Sequence, residues 1–203
     1  EDWDAICTLQ DGLEEAGVIE GRTSMLAAFL YVAYVLRTPL LLAGPNGRGI
    51  ADALSAALFG RTASILRCEG AYDPDATEQC MNAEGRVIVL LDPINTGWIS
   101  HIPDFTAQKD KLILAVHPFA EDLLIEPKGL YNYVVPVLTE LFVDQPASGK
   151  YVGGCFGADF RGYDRTKPQK KLHLAKKLPM PAMLRNQLQQ MLADMKALLG
   201  RDE

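Results

Sequence analysis

The fold of this chain is decided by the stretch from Pro39 to Gly60, which reads P-L-L-L-A-G-P-N-G-R-G-I-A-D-A-L-S-A-A-L-F-G. The apolar residues after Pro39 predict a buried strand, a glycine-rich turn follows at 44–49, and the rest of the stretch predicts a helix. This order of elements builds a loop whose backbone N–H groups, at a helix N-terminus, can bind phosphate. However, Ile50 and Ala51 occupy the positions at which such a loop carries Lys and then Ser or Thr.

Apolar segments elsewhere continue an alternation of strands and helices. Strands are predicted at 62–68, 86–92 and 111–117, and helices within 1–20 and at 23–37, 74–82 and 181–199. A further helix is predicted at 130–141, followed by a short strand at 141–143. The segments 86–92 and 111–117 are apolar without alternation, which indicates strands buried on both faces, as in a parallel sheet. We therefore predict an α/β fold in which helices sandwich a parallel sheet.

The charge of the chain changes sign near residue 150. Residues 1–150 carry ten Lys or Arg against twenty-one Asp or Glu, whereas residues 151–203 carry ten against five. The sequence D-Q-P-A-S-G-K at 144–150 lies between these parts and is typical of a linker. We predict a core at 1–147 and an appendage at 148–203, which is rich in Gly and aromatic residues, then basic, and ends in an amphipathic helix.

The spacing of the cysteines and the length of the apolar runs argue against zinc-bound, disulfide-linked and membrane-spanning classes of protein. The four cysteines are scattered without a C-x-x-C pair, so we expect no structural zinc site, no disulfide framework and a cytoplasmic location. The longest apolar run, at 25–36, is shorter than the ~20 residues that span a bilayer, so we expect no membrane contact. The acidic start of the chain at 1–4 predicts that it is a fragment of a longer protein.

Four short motifs lie in order at the predicted strand ends. The first is Gly44-Pro-Asn-Gly-Arg-Gly-Ile-Ala51, and the second is Leu90-Leu-Asp-Pro-Ile-Asn95. The third is Ala115-Val-His-Pro118, and the fourth is Val135-Pro-Val-Leu-Thr-Glu-Leu-Phe142. In this order they resemble G-P-P-G-T-G-K-T, L-L-D-E-I-N, A-T-x-N-P and L-P-x-A-L-L-D-R-F of the AAA+ P-loop ATPases, especially the MoxR-type and McrB-type branches. The resemblance covers roughly residues 15–145 and implies a P-loop NTPase fold.

The resemblance also implies which residues would surround a nucleotide. The phosphate loop would consist of Gly44, Pro45, Asn46, Gly47, Arg48, Gly49, Ile50 and Ala51. The metal-binding and sensor positions would be Asp92, Pro93, Asn95 and His117.

The residues with which this family hydrolyses ATP are replaced. Ile50 stands for the lysine on the β- and γ-phosphates, Ala51 for the hydroxyl on magnesium, and Pro93 for the glutamate that orients water. His117 replaces the sensor asparagine, and Leu141 replaces the arginine finger. Loss of an arginine finger alone costs about 10³- to 10⁵-fold in rate. We therefore expect no catalytic residues and essentially no hydrolysis.

Three polar residues of these motifs allow two interpretations each. Arg48 either contacts a phosphate or is a loop arginine that is solvated or pairs with an acidic neighbour. Asp92 either binds a cation or forms the turn or helix cap that often follows a buried strand. His117 either acts as a base or satisfies backbone hydrogen bonds at a strand end.

The basic part of the appendage also allows two interpretations. Its cations could form a surface for nucleic acid or for an acidic protein, with Phe160 and Tyr163 available for stacking on bases. Alternatively, they pack back on the acidic core of the same chain. The cations are Arg161, Arg165, Lys167, Lys170, Lys171, Lys176 and Lys177.

The sequence therefore favours a catalytically inactive AAA+-like module that acts as a scaffold or regulatory subunit. Its expected partners are proteins, either an active AAA+ paralogue or further copies of itself, and we expect no resident metal or cofactor. One alternative is a switch that binds ATP or ADP with magnesium without hydrolysing it. A second is a nucleic-acid-binding module that uses the basic segment. The helical lid of the family would be reduced, because only 181–199 predicts a clear helix.

Overall fold

Strands and helices alternate along the chain in the computed structural model, which describes residues 2–108, 110–154, 156 and 182–199. The strands are β1 (Leu40–Ala43), β2 (Ser64–Arg67), β3 (Val87–Leu91), β4 (Leu112–His117) and β5 (Val135–Leu138). The helices are α1 (Asp2–Glu15), α2 (Thr23–Val35), α3 (Gly47–Phe59), α4 (Pro74–Asn82), α5 (Ile102–Thr106) and α6 (Ala182–Leu199). Short 3-10 turns lie at Glu20–Arg22, Ile99–His101, Ala120–Leu124, Lys128–Asn132 and Thr139–Leu141.

The strands form one sheet in the order β2-β3-β4-β1-β5. All four pairings are parallel, and β1 lies between β4 and β5, with Leu42 opposite Val116 on one side and Val137 on the other. All four residues of β1 are buried, as their uninterrupted apolar sequence predicts. The predicted α/β architecture with a parallel sheet between helices is thus confirmed.

Helices cover both faces of the sheet. On one face, Leu40, Leu42 and Leu114 belong to the largest apolar cluster, which includes side chains of α1, α2, α3 and α6. On the other face, Leu90 and Ile113 pack with residues of α4 and α5. The remainder of that face packs with the turns between β4 and β5, through a cluster of Leu41, Ile102, Ala115, Leu130 and Val134. Alternate residues of β1 therefore enter different layers of the core.

The helix predicted at 130–141 and the strand predicted at 141–143 are wrong. The segment contains β5, whose Val135 N–H donates to Pro39 O at 2.9 Å, between two 3-10 turns. The reason is the sequence around Pro136, where three valines favour an extended backbone and the proline cannot continue a helix. Pro136 is exposed on the outermost strand, where its missing N–H costs no hydrogen bond of the sheet.

The chain after β5 crosses the helical face that contains α1 and α3. Ser148 N–H donates to Glu15 O at 2.9 Å, Gly154 N–H to Ala56 O at 2.8 Å, and Phe156 N–H to Leu58 O at 3.0 Å. Further along, α6 packs on α2 and contributes Met191 and Met195 to the main cluster. The division at residue 147 stays a prediction, and residues 157–181 lie outside the described residues.

Truncation of Leu42 to alanine should destabilise the fold by about 2–5 kcal/mol, because the side chain is fully buried between two layers. The matched control is Leu124→Ala, at a leucine that is 88% exposed, where we expect a change within about 0.5 kcal/mol. Urea unfolding followed by circular dichroism measures both. Equal effects of the two substitutions would contradict the buried position of β1.

Candidate functional site

The candidate residues meet at the carboxyl edge of the sheet. The connection after β1 runs through α3 on one face, whereas the connection after β4 packs on the opposite face. In open α/β sheets, ligands bind where neighbouring connections diverge in this way. Two backbone hydrogen bonds join the strand ends here, from Gly44 N–H to His117 O and from Asp92 N–H to Val116 O, both at 2.9 Å. The tertiary structure thus brings the glycine-rich loop, Asp92 and His117 to one edge.

The glycine-rich loop is closed by the side chain of Asn46. Helix α3 begins at Gly47, three residues earlier than predicted, and Asn46 precedes it with a left-handed backbone of φ 48° and ψ 35°. The Asn46 side-chain oxygen accepts a hydrogen bond from Gly49 N–H at 3.2 Å, and its backbone oxygen accepts from Ile50 N–H at 3.2 Å. The side-chain amide donates to Ala16 O at 2.7 Å, at the end of α1. The cap therefore satisfies the Gly49 amide, one of the helix-start donors that could otherwise bind a phosphate, whereas the bond from Ile50 N–H is the first regular bond of the helix.

The contact between Asn46 and Gly49 leaves no room for a larger residue at position 49. A Cβ atom built on Gly49 would lie 2.5 Å from the Asn46 side-chain oxygen and 2.4 Å from its nitrogen. The glycine thus serves the close approach of the capping side chain, a role that needs no ligand.

The two residues at the positions where the motif predicts lysine and a hydroxyl face the core. Ile50 and Ala51 are both completely buried, and both belong to the main apolar cluster. A cation at position 50 would have to lie among these apolar side chains, where an unpaired charge is costly. The side chain at this position is therefore part of the packing of α3 on the sheet.

Arg48 and Asp52 form an ion pair along α3. Arg48 Nε lies 3.9 Å from Asp52 Oδ2, and Asp52 Oδ1 accepts a hydrogen bond from Ala63 N–H at 3.0 Å. Arg48 lines a small cavity of about 130 Å³ with residues of α1 and with Lys150 and Tyr151. Burial raises the pKa of the Asp52 carboxyl above its ordinary value, although Ala63 N–H, Arg48 and the Tyr151 hydroxyl oppose this shift.

The edge of the sheet beyond the loop carries an open groove of about 620 Å³. Its lining includes Asp92 and His117, together with Cys68, Glu69, Asn95 and Thr96. No lysine or arginine is among the described residues that line it. A groove without cations, beside two carboxylates, is a poor site for phosphate because nothing in it offsets negative charge.

Asp92 and Asn95 organise a turn at this edge. Asp92 is exposed and has a left-handed backbone of φ 56°, whereas Pro93 after it is buried. Asn95 donates from its side-chain amide to Cys68 O at 2.8 Å and to Asp92 O at 2.9 Å. Its side-chain oxygen accepts from Gly97 N–H at 3.0 Å and from Trp98 N–H at 3.2 Å. The side chain of Asn95 is thus fully occupied in holding the turn.

His117 pairs with a carboxylate that the motifs did not include. Its Nε2 lies 2.7 Å from Asp122 Oδ2, and its Nδ1 is buried without a hydrogen-bond partner among the described residues. Asp122 lies five positions after the strand end, in a turn without a local motif, so only the tertiary structure reveals the pair. With Nδ1 inaccessible and Nε2 engaged, the imidazole is placed to anchor that turn.

Other reactive groups near the groove are not activated. Burial raises the pKa of the Cys68 thiol to about 12, with smaller contributions from Asp92 and Cys80, so the thiol stays protonated. Among the described residues, no group of three or more His, Cys, Asp or Glu side chains could hold a metal ion. The predicted basic surface, Arg161, Arg165, Lys167, Lys170, Lys171, Lys176 and Lys177, lies outside the described residues.

Comparisons with known proteins do not assign this chain to a family, since no family model, curated protein or solved structure matches it. Within the part of the chain that the structure describes, no helix is both long enough and apolar enough to cross a membrane.

Substitutions of Asn46 should separate its two contacts. We expect Asn46→Ala to lower the free energy of unfolding by about 1–3 kcal/mol, because it removes a helix cap and the hydrogen bond to Ala16. Asn46→Asp keeps the acceptor for Gly49 N–H and should cost less. Chemical denaturation measures both, and a fully stable Asn46→Ala variant would show that the side chain does not close the loop.

Replacement of Asp52 by asparagine should change how stability depends on pH. Because the folded-state pKa is raised above 3.8, ionisation of Asp52 opposes folding, and its contribution to stability is lost as pH rises from about 4 through the raised value. Asp52→Asn should therefore gain stability relative to the parent over this range and reach a plateau near neutral pH. Thermal unfolding between pH 3.5 and 7 tests this, and a difference that shrinks with rising pH would contradict it.

Proposed function

We propose that this chain is a P-loop domain of the AAA+ type that neither binds nor hydrolyses nucleotide and acts through contacts with other proteins. The observation that carries the proposal is the state of the glycine-rich loop. Asn46 caps α3 with its own side chain, and Ile50 is buried in the core at the position of the family's lysine. The all-parallel sheet and the order of motifs at its carboxyl edge support the fold assignment.

The loop itself distinguishes this proposal from a nucleotide-binding switch. A switch would need free amides at the start of α3 and a cation near the β- and γ-phosphates. Gly49 N–H donates to the Asn46 side-chain oxygen, and Ile50 N–H donates to the Asn46 backbone oxygen. Arg48 pairs with Asp52. Binding of a triphosphate would therefore have to displace the Asn46 cap and leave the phosphate charge without a lysine. We place ATP and ADP outside the function for this reason.

The proposed partners are proteins, either an active AAA+ subunit or another copy of this chain. Pro93, at the position where the motif carries the glutamate that orients water, is buried and has no ionisable group, so it supplies no base for water activation. A module that keeps the fold but lacks this chemistry can still present its surface to a neighbouring subunit. The proposal is therefore a scaffold or regulatory role.

Purified protein should show no magnesium-dependent ATP turnover, and calorimetry with ATP or ADP at about millimolar concentration should show no binding heat. The physical reason is the capped loop with no lysine. Turnover that disappears in Asp92→Ala would contradict the proposal and assign catalysis to the edge of the sheet. Binding of ADP that is weakened by Arg48→Ala, without turnover, would instead support the switch.

A further inference from the structure

Among the described residues, the large aliphatic side chains with the highest exposed fractions lie on the connection between β4 and β5. Leu124 is 88% exposed and Ile125 is 82% exposed, and Phe119 and Tyr133 on the same connection are also exposed. We call these four residues the apolar platform. Most exposed apolar residues occur singly on a protein surface, whereas Leu124 and Ile125 are adjacent, and adjacent large apolar side chains in solvent favour a surface that binds a partner.

Contacts within the connection anchor the turn that carries Leu124 and Ile125. Leu123, the neighbour of Leu124, turns inward and packs with Ile102 and Leu130. Tyr131 OH donates to Leu123 O at 2.9 Å. The contact between His117 and Asp122 ties the start of the same turn to the end of β4. One leucine is thus anchored while its two successors face solvent.

An apolar groove adjoins the platform. It has a volume of about 230 Å³ and shares Tyr133 with the platform. Its other lining residues include Ile99, Ile102, Pro103, Pro127 and Leu130. Pro127 in this lining follows Ile125 by two residues, so the apolar face of a partner can cover Ile125 and continue to the groove.

The charges around the platform select the partner. Glu121, Asp122 and Glu126 lie within the connection, and Lys128 is its only cation. Glu126 follows Ile125 directly and is half-buried, whereas Glu121 is exposed. Acidic side chains attract a basic partner and repel nucleic acid and anionic lipid.

We propose that the apolar platform and its groove bind a basic amphipathic segment of a partner protein. The apolar face of the segment covers Leu124 and Ile125, and its lysines or arginines lie beside Glu121 and Glu126. This inference rests on the proposed function, because it names the partner class of a module that works through protein contacts. It uses a surface on the opposite face of the sheet from α3 and does not involve the glycine-rich loop.

The test uses the whole chain and a fluorescein-labelled amphipathic helical peptide of leucine and lysine, with a leucine and glutamate peptide of the same pattern as its control. We expect binding of the lysine peptide by fluorescence anisotropy, and weaker binding as salt is added. Leu124→Ser and Ile125→Ser should each weaken it at least about tenfold, since each removes a large contact. The matched control is Trp3→Ser, at an apolar side chain that is 51% exposed on α1, which should leave binding unchanged.

A second pair of variants tests the charges. The double substitution of Glu121 and Glu126 by glutamine should weaken binding several-fold, whereas the same double substitution at Glu14 and Glu20, which are exposed elsewhere, should not. Equal effects of both pairs, or equal binding of both peptides, would overturn the proposal. Loss of self-association in Leu124→Ser would overturn it in favour of a second copy, and platform-dependent binding to phosphatidylcholine vesicles in favour of lipid. Nucleotide binding is measured separately, so failure of the proposed function is distinguishable from failure of this surface.

Discussion

The structure depends on the complete burial of β1 in the interior of a parallel sheet. Its residues, Leu40 to Ala43, are hidden on both faces, so their backbone groups can be satisfied only by strands on both sides. β4 and β5 supply those partners, and parallel strands require connections that cross the faces of the sheet. The crossing connections bring the glycine-rich loop, Asp92 and His117 to one edge. The placement of these candidate residues at one edge therefore follows from the burial of β1.

The start of α3 resolves an electrostatic demand that every helix has. Its first amides need acceptors, and a bound anion or a capping side chain can supply them. In this chain the Asn46 side-chain oxygen is the acceptor for Gly49 N–H. The amide nitrogen of the same side chain donates to Ala16 O and so ties the loop to the end of α1. The loop thus has a structural role that is complete without a ligand. Ile50 adds to that role, because its fully buried side chain packs the next turn of the helix in the core.

The opposite end of the candidate site shows how polar residues can shape a surface. Asn95 holds the turn after β3 through four backbone groups, and the contact between the His117 and Asp122 side chains holds the turn after β4. The second turn exposes two apolar side chains to solvent, Leu124 and Ile125. The contrast between polar contacts inside the turn and apolar side chains outside it is the physical basis of the proposed role in surface contacts.

The sequence by itself determined the elements whose pattern is local. The limits of β1 and α4 agree with the predicted segments, and the parallel sheet follows from apolar strands without alternation. Only the tertiary structure decided what depends on distant residues. β5 pairs with β1, Asn46 reaches Ala16, and Asp122 pairs with His117. Composition and spacing report the preferences of neighbours along the chain, whereas these contacts join residues that only the folded backbone brings within hydrogen-bond distance.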